Sequence, residues 1–307
     1  MTTSHSPADV PSGPDRCPPG GITDPTDHDA SWPAVLGALA VFTSPGRLRD
    51  TGLAAAASDL LAAQRSRTTV EFLTCRHPGL TLDDAYRVQW TNIQQRLAHG
   101  ARMVGHKVGL TSLAMQQQIG VDQPDSGVLL DDMLLASGSS LPLGQLVMPR
   151  VEAEIAFRLG ADLRGADADA RTVRAAVSEV LLALEVIDTR YGDWRMTLQD
   201  SVADNAAAAR AVPGPEIPLD PGLDLASEEI CVRVNDEVVA TAPGSAVLGD
   251  PLNSVVWLLR QLDRHGVGLR RGDLVLAGAV HASLPLRPGS VIEASSPHLP
   301  PASVHAV

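Results

Sequence analysis

The carboxylates of Glu152, Glu154 and Glu185 are the side chains of this chain whose type and spacing most clearly indicate chemistry. Glu152 and Glu154 alternate with apolar residues in the segment PRVEAEIAF, and a β-strand there would point both carboxylates to one face. Two adjacent carboxylates repel each other, and burying them is costly without a compensating charge. Mg²⁺ and Mn²⁺ prefer carboxylate oxygens and would supply that charge.

The third acid decides between a metal site and an ordinary surface strand. A lone Glu-x-Glu pattern is more typical of an exposed edge strand with alternating acids. Glu185, however, stands alone inside the apolar run LLALEVI, which is typical of a buried strand. We therefore predict that Glu152, Glu154 and Glu185 bind Mg²⁺ or Mn²⁺ together.

Four further segments place a polar residue among small or apolar ones: Lys107 in GHKVGLTS, Asp125 in GVDQPDSG, Arg190 in DTRYGDW and Asn205 in SVADNA. Lys107 could act as an acid or as an anion clamp, and Asp125 as a general base. Arg190 could bind a carboxylate, and Asn205 could bind substrate or an attacking water. Each also has a structural alternative: a snorkelling lysine, a turn aspartate, a surface loop and a helix cap.

The composition limits the partners of the chain. The 307 residues carry a formal net charge of −12, with no basic cluster, which argues against nucleic acid and against an anionic membrane surface. No apolar run approaches the length of a membrane span, and no glycine-rich segment matches a nucleotide-binding motif. A small anionic substrate is still compatible, because a bound metal reverses the local field. His106 and His281 lack neighbours typical of a metal site and are predicted to be structural or peripheral.

The cysteines and the termini give a location and a domain division. Cys17, Cys75 and Cys231 are odd in number and fit no zinc pattern, so we expect free thiols and a cytoplasmic protein. Residues 1–50 are rich in Pro, Gly, Ser and Asp in their first part and are predicted to be a disordered or weakly ordered extension. Residues 51–307 are predicted to form the catalytic domain.

The secondary-structure elements that must position these side chains are predicted to be helices in the first part of the chain and mainly strands, with interspersed helices, in the later part. This order predicts an α+β fold, not a regular βαβ alternation. The stronger signals are a helix from Gly52, a capping box at Thr81 and Asp84, a strand over 103–109, short helices over 111–119 and 169–178, a hairpin turn at Asn235-Asp236, a helix from Asp250-Pro251 to Gly266, and strands near 273–276 and 290–292.

Several long segments together resemble one family. GHKVGLTS, GVDQPDSGVLLDDM, PRVEAEIAFRLGADL, LEVIDTRYGDW, SVADNA and AVLGDPLNSVVWL are similar, in order and spacing, to the 2-keto-4-pentenoate hydratases. Their sister enzymes are the 4-oxalocrotonate decarboxylases, within the fumarylacetoacetate hydrolase superfamily. The resemblance spans roughly residues 52–295. It implies a mixed β core with surrounding helices, a homo-oligomer and one divalent metal per subunit.

The resemblance also implies roles for individual residues. Glu152, Glu154 and Glu185 match the metal ligands, and Lys107 and Asp125 match the acid/base positions. Asn205 would orient substrate or water. The implied reaction adds water to a 2-hydroxy-2,4-dienoate, a small 2-oxo or 2-hydroxydienoate substrate, and gives a 4-hydroxy-2-oxo acid. A complex with a pathway aldolase or decarboxylase is also compatible with the resemblance.

Some positions depart from the family pattern, and alternatives stay open. Ala207 replaces a usual serine, Ser126 a usual aromatic residue and Ala277 a usual threonine. Ala207 would remove a hydroxyl contact, and Ser126 would enlarge or wet the pocket. Together the altered positions are compatible with a dienoate that has a longer or more polar chain. The alternatives are a 4-oxalocrotonate decarboxylase, a C–C bond hydrolase and a catalytically silent partner subunit. The segments GVDQPD and PRVEAEIAF are more typical of hydratases than of decarboxylases. The three retained acids argue against the silent partner.

Overall fold

The computed structural model describes residues 50–165 and 167–307. The predicted extension over 1–50 therefore lies almost wholly outside the described residues, and the division at residue 51 stays a prediction. The α-helices in the described ranges are α1 (Asp50–Ser66), α2 (Leu73–Arg76), α3 (Leu82–Ala98), α4 (Leu113–Ile119), α5 (Ala170–Ala176), α6 (Leu198–Ala203) and α7 (Pro251–Asp263).

The strands form two mixed sheets. Their bounds are β1 (Met103–Gly109), β2 (Asp125–Leu130), β3 (Ser140–Leu141), β4 (Arg150–Leu159), β5 (Val177–Ile187), β6 (Ala208–Pro213), β7 (Ile217–Pro218), β8 (Glu229–Val234), β9 (Glu237–Pro243), β10 (Leu274–Ala279), β11 (Leu284–Pro285), β12 (Val291–Ser295) and β13 (Ala302–Ala306). The larger sheet has the order β2-β1-β10-β4-β5-β6, with β11 beside β4 and β7 beside β5. The smaller sheet has the order β3-β13-β12-β8-β9. This architecture confirms the α+β prediction.

The main core lies between the two sheets and α7. Alternate residues of β4 (Val151, Ile155 and Phe157) pack there with α7 and with the inner face of the smaller sheet. The opposite face of the larger sheet is covered by the helices of the N-terminal half, α1 and α3, and by α6. Because side chains alternate along a strand, each central strand offers one face to the core and one to this helical layer.

Local signals account for the element ends. Thr81 and Asp84 form a capping box at the start of α3, with the Asp84 amide donating to the Thr81 hydroxyl over 3.1 Å. Asp250 caps α7 and Pro251 opens it, as predicted. Asn235 and Asp236 both have positive φ angles, 50° and 67°, which is the conformation that a two-residue hairpin turn between β8 and β9 needs.

The described helices and cysteines can be compared with the expectations from the sequence. Within the described ranges, none of the helices combines the length and the apolar character needed to cross a bilayer. Cys231 is a free thiol, as expected. Cys75 is disulfide-bonded, which contradicts the expectation of free thiols.

The close approach of β1 to β10 depends on Gly105. A methyl group there would lie 1.8 Å from the Leu274 carbonyl oxygen, whereas one at Gly144 would meet no atom within 4 Å. We expect Gly105→Ala to lower the free energy of unfolding by at least about 2 kcal/mol, because backbone atoms must shift. Gly144→Ala is the matched control and should stay within about 0.5 kcal/mol. Equal urea midpoints for the two variants would contradict this account.

Candidate metal centre

The pairing of β4 with β5 brings the three glutamates together. Glu152 lies directly opposite Glu185, and Glu154 follows on the same face of β4 opposite Ala183. One carboxylate oxygen from each glutamate lies within 4.8 Å of the other two, and all three side chains are buried. The sequence grouped these residues by pattern, and the strand register places them at one point.

The hydrogen bonds of this cluster leave most of its oxygens unused. The Gly278 amide donates to Glu154 Oε2 over 2.6 Å. Lys107 Nζ lies 3.3 Å from Glu185 Oε2, an ion pair whose geometry falls short of a hydrogen bond. In the described part of the chain, Glu152 Oε1, Glu154 Oε1 and both oxygens of Glu185 have no hydrogen-bond partner. Four buried acceptors without hydrogen bonds, one of them ion-paired with Lys107, fit a hard divalent cation, whose preferred ligands are carboxylate oxygens.

The electrostatics also favour a cation. Burial raises the pKa of all three glutamates, and that of Glu152 reaches about 8 despite the opposing charge of Lys107. Repulsion from Glu185 and Glu152 raises the pKa of Glu154 further. Burial alone would lower the pKa of Lys107, but Glu185 and the other nearby carboxylates outweigh it and raise that pKa above its ordinary value. Lys107 therefore stays an ammonium, while Glu152, with its pKa of about 8, holds a proton at neutral pH until a cation displaces it.

Lys107 and Asp125 meet on adjacent strands. In the β1–β2 pair, Lys107 lies opposite Gly127 and Gly109 opposite Asp125, so these four residues share one face. A methyl group at Gly109 would lie 2.2 Å from Asp125 Oδ1 and 2.9 Å from Lys107 Nζ. The two reactive groups therefore converge above Gly109, where any side chain would separate them. The predicted acid/base pair is thus in mutual reach beside the glutamates.

Ser201 holds the Asp125 carboxyl group. The Ser201 hydroxyl donates to Asp125 Oδ2 over 2.6 Å, and both side chains are buried. Asp125 Oδ1 has no hydrogen-bond partner among the described residues. Sequence reasoning missed Ser201, although it lies in the segment SVADNA, because its contact is made only when α6 packs against β2.

The side-chain amide of Asn205 is hydrogen-bonded to β2. Its side-chain oxygen accepts from the Val128 amide over 2.8 Å, and its nitrogen donates to the Val128 carbonyl over 2.9 Å. Both ends of the amide are thus bound to β2. Asn205, Ala206 and Ala207 form a left-handed turn with φ angles of 57°, 51° and 59°, which is rare for residues other than glycine. A direct contact of Asn205 with substrate or water stays a prediction that no contact in the structure supports.

The other polar residues singled out in the sequence make contacts within the protein. Arg190 is buried in an ion pair with Asp204 and is not on a surface loop. His281 accepts from the Ala153 amide over 3.1 Å. His106 alternates with Lys107 and so faces the other side of β1, and burial lowers its pKa to about 4. The prediction that the two histidines are structural agrees with these contacts.

Ser126 and Ala277, two of the positions that depart from the family pattern, do not face the glutamates. Ser126 pairs with Val108, on the face of β2 opposite that of Asp125, and its hydroxyl lies 3.2 Å from the Tyr86 hydroxyl. Ala277 is buried in the core between the two sheets. The strand alternation points both side chains away from the glutamates. The expectation that Ser126 enlarges or wets the pocket therefore stays a prediction without support from this register.

Comparisons with known proteins agree with this geometry. Residues 103–305 match the family described as fumarylacetoacetate (FAA) hydrolase C-terminal. The 2-keto-4-pentenoate hydratase of Paraburkholderia xenovorans is 44% identical over 78% of this chain and 88% of its own length. The 2-hydroxyhexa-2,4-dienoate hydratase of Comamonas testosteroni is 37% identical over 75% of this chain and 88% of its own length.

A solved structure is similar over most of the chain. It is the 4-oxalocrotonate decarboxylase of Pseudomonas putida G7, complexed with magnesium and adipate, with a TM-score of 0.80 and 33% identity. The match covers 85% of this chain and 99% of the decarboxylase. The neighbour therefore shares the fold over essentially its whole length.

Removing one carboxylate should weaken cation binding. We expect Glu154→Gln to raise the Kd for Mn²⁺ by more than about 10-fold in calorimetry. Mutation of residues that only support a metal ligand already weakens metal binding about 10-fold, and Glu154 is predicted to be a ligand itself. Glu237→Gln, on the exposed β8–β9 hairpin, is the matched control and should bind Mn²⁺ as the unaltered protein does. The same Mn²⁺ affinity in both variants would remove Glu154 from the site.

Cation affinity should also depend on pH. Because the pKa of Glu152 is raised to about 8, this carboxyl is protonated below that pH, and protons compete with the cation. We expect the Mn²⁺ affinity to fall as the pH is lowered from 9 to 6, with proton release on binding at pH 7. Calorimetry in buffers of different ionisation enthalpy counts these protons, and binding without any release would contradict the assignment.

Proposed function

This chain belongs to the fumarylacetoacetate hydrolase family, and we propose that it adds water to a 2-hydroxy-2,4-dienoate to give a 4-hydroxy-2-oxo acid. The observation that carries the proposal is the cluster of Glu152, Glu154 and Glu185, whose buried, unpartnered oxygens lie beside Lys107. The 44% identity to a 2-keto-4-pentenoate hydratase supports this reading of the site.

The three glutamates would hold Mg²⁺ or Mn²⁺. The cation, when bound, supplies Lewis-acid stabilisation to the enolate form of a 2-oxo acid. The glutamates fit this task because they offer three carboxylates from two rigid strands, with few competing donors. The choice between the two metals is part of the proposal.

Lys107 and Asp125 would move the protons. Ketonisation transfers a proton from the 2-hydroxyl group of the dienoate to C5, and water then adds at C4 while C3 gains a proton. Asp125 Oδ1 is an open acceptor, and Lys107 carries a proton to give. Ser201 fixes the orientation of the carboxyl group, and Gly109 keeps the space between acid and base clear. Acid–base assistance of this kind contributes about 10²- to 10⁴-fold.

A decarboxylase is the second candidate. Its support is the decarboxylase structure from Pseudomonas putida G7, which matches this chain over 85% of its length. The same glutamates and lysine would serve a reaction that expels CO₂ from a 2-oxo-3-enedioate. The hydratase is preferred, because the relatives named hydratases reach a higher identity.

The assembly and the location also belong to the proposal. A homo-oligomer, with or without a pathway aldolase or decarboxylase, stays a prediction from the family resemblance. The cytoplasmic location also stays a prediction.

The decisive assay follows the dienol absorbance of 2-hydroxypenta-2,4-dienoate with Mg²⁺, with Mn²⁺ and after EDTA. We expect metal-dependent loss of absorbance and a product heavier by one water in mass spectrometry. Loss of CO₂ from 2-oxo-3-hexenedioate, with the pentadienoate untouched, would transfer the assignment to the decarboxylase. Inactivity towards both substrates with metal bound would contradict both reactions.

Variants of the acid/base pair sharpen this assay. We expect Lys107→Met and Asp125→Asn to lower kcat by about 10²- to 10⁴-fold, because each removes a proton carrier. Lys107→Met should keep or increase the Mn²⁺ affinity, since it removes a positive charge beside Glu185. Ser126→Ala is the matched control on the opposite face of β2, and its kcat should be unchanged. A Lys107→Met enzyme with normal kcat would exclude Lys107 from proton transfer.

A further inference from the structure

Arg150 shares a strand face with the glutamate cluster but has no role in the steps above. It begins β4 two residues before Glu152, so its side chain leaves the strand on the glutamate side. Two residues of strand span about 6.6 Å, which places the guanidinium of this long side chain within reach of a small molecule held at the cluster. Arg150 is half-buried.

Neutral groups hold Arg150 in place. Its Nε donates to the Ser283 hydroxyl over 2.7 Å, and its Nη2 donates to the Ser283 carbonyl. The guanidinium lies over the Trp194 ring, 5.8 Å from the centroid. Ser283 is held in turn by Gln118, whose Oε1 accepts from the Ser283 amide and hydroxyl, each over 3.0 Å. The orientation of Arg150 is thus set before any ligand arrives, which lowers the entropy lost on binding.

Arg150 lacks an acid where comparable arginines have one. Arg158, at the other end of the same strand face, is paired with Glu216. Arg190, which is buried elsewhere in the fold, is paired with Asp204. Within 50–165 and 167–307, Arg150 donates hydrogen bonds to Ser283 and lies over Trp194, and neither carries a charge. Glu152 acts on Arg150 through its charge, but the two side chains form no salt bridge. A half-buried guanidinium without an acid at salt-bridge distance is costly to keep out of water. An anionic ligand would offset that cost.

We infer that Arg150 binds a carboxylate of the substrate. A guanidinium has five N–H donors, and Ser283 occupies one on Nε and one on Nη2. Of the three that remain, one on Nη1 and one on Nη2 lie on the Nη1–Nη2 edge, a fork that matches a carboxylate. The carboxylate is either the one next to the 2-oxygen or a second one at the far end of the chain. The identity of this acid rests on the proposed function, but the carboxylate preference rests on Arg150 alone.

Binding of unreactive acids tests the inference without turnover. Calorimetry with the Mn²⁺-loaded protein compares adipate with hexanoate, which has the same six carbons but one carboxylate. We expect Arg150→Gln to weaken adipate binding by at least about 10-fold, the loss of one charge-assisted pair. Arg158→Gln is the matched control on the same strand face and should bind both acids as the unaltered protein does.

The two acids separate the two sources of the carboxylate. An equal loss for hexanoate and adipate assigns Arg150 to the carboxylate next to the 2-oxygen. A loss confined to adipate assigns it to the far carboxylate and to dicarboxylic substrates. Arg150→Lys keeps the charge without the fork and should fall between the two proteins. Unchanged adipate binding in Arg150→Gln, or no binding of either acid by the unaltered protein at millimolar concentration, would overturn the inference.

Ser283→Ala provides a second test in case the Arg150 variants fail to fold. It removes the hydroxyl that orients Arg150 and leaves the charge in place, so adipate binding should weaken less than in Arg150→Gln. The inference and the proposed function can also fail separately. If the protein hydrates the dienoate but binds acids equally well without Arg150, only the inference about Arg150 is contradicted. Arg150-dependent acid binding without hydration would remove the proposed function alone.

Discussion

The repulsion among three buried carboxylates is the constraint on which the rest of this structure depends. Glu152 and Glu185 face each other across two central strands, and Glu154 follows on the same face. Rigid pairing prevents these side chains from moving apart, so relief must come from protons, from Lys107 or from a cation. A protein that keeps such a cluster in its interior carries a standing cost in stability, which is typical of functional sites.

The surrounding elements serve that cluster. The β1–β2 pair supplies Lys107 and Asp125, and Gly109 leaves the space in which they meet. Packing of α6 brings Ser201 onto Asp125, and the turn that follows α6 ties Asn205 to β2. Each of these contacts joins segments far apart in sequence. The acid/base pair is therefore held by the sheet and by the helical layer over it, not by a single loop.

The sequence could predict the parts that depend on local pattern. Alternation revealed the strand of Glu152, and the apolar run around Glu185 revealed its burial. It could not predict which face of β2 carries Ser126, because that depends on register with β1. Nor could it predict that Val128 occupies both ends of the Asn205 amide, a contact formed only by tertiary packing. The family resemblance named the acid/base positions, but the contacts of Arg150 needed the structure.

The most direct test of the central claim is anomalous diffraction at the manganese edge from crystals of the full chain grown with Mn²⁺. The account predicts one strong peak per subunit among the carboxylate oxygens of Glu152, Glu154 and Glu185, within reach of Lys107 but not bound to it. A peak at another acidic group, with the three glutamates protonated and hydrogen-bonded to one another, would contradict the account.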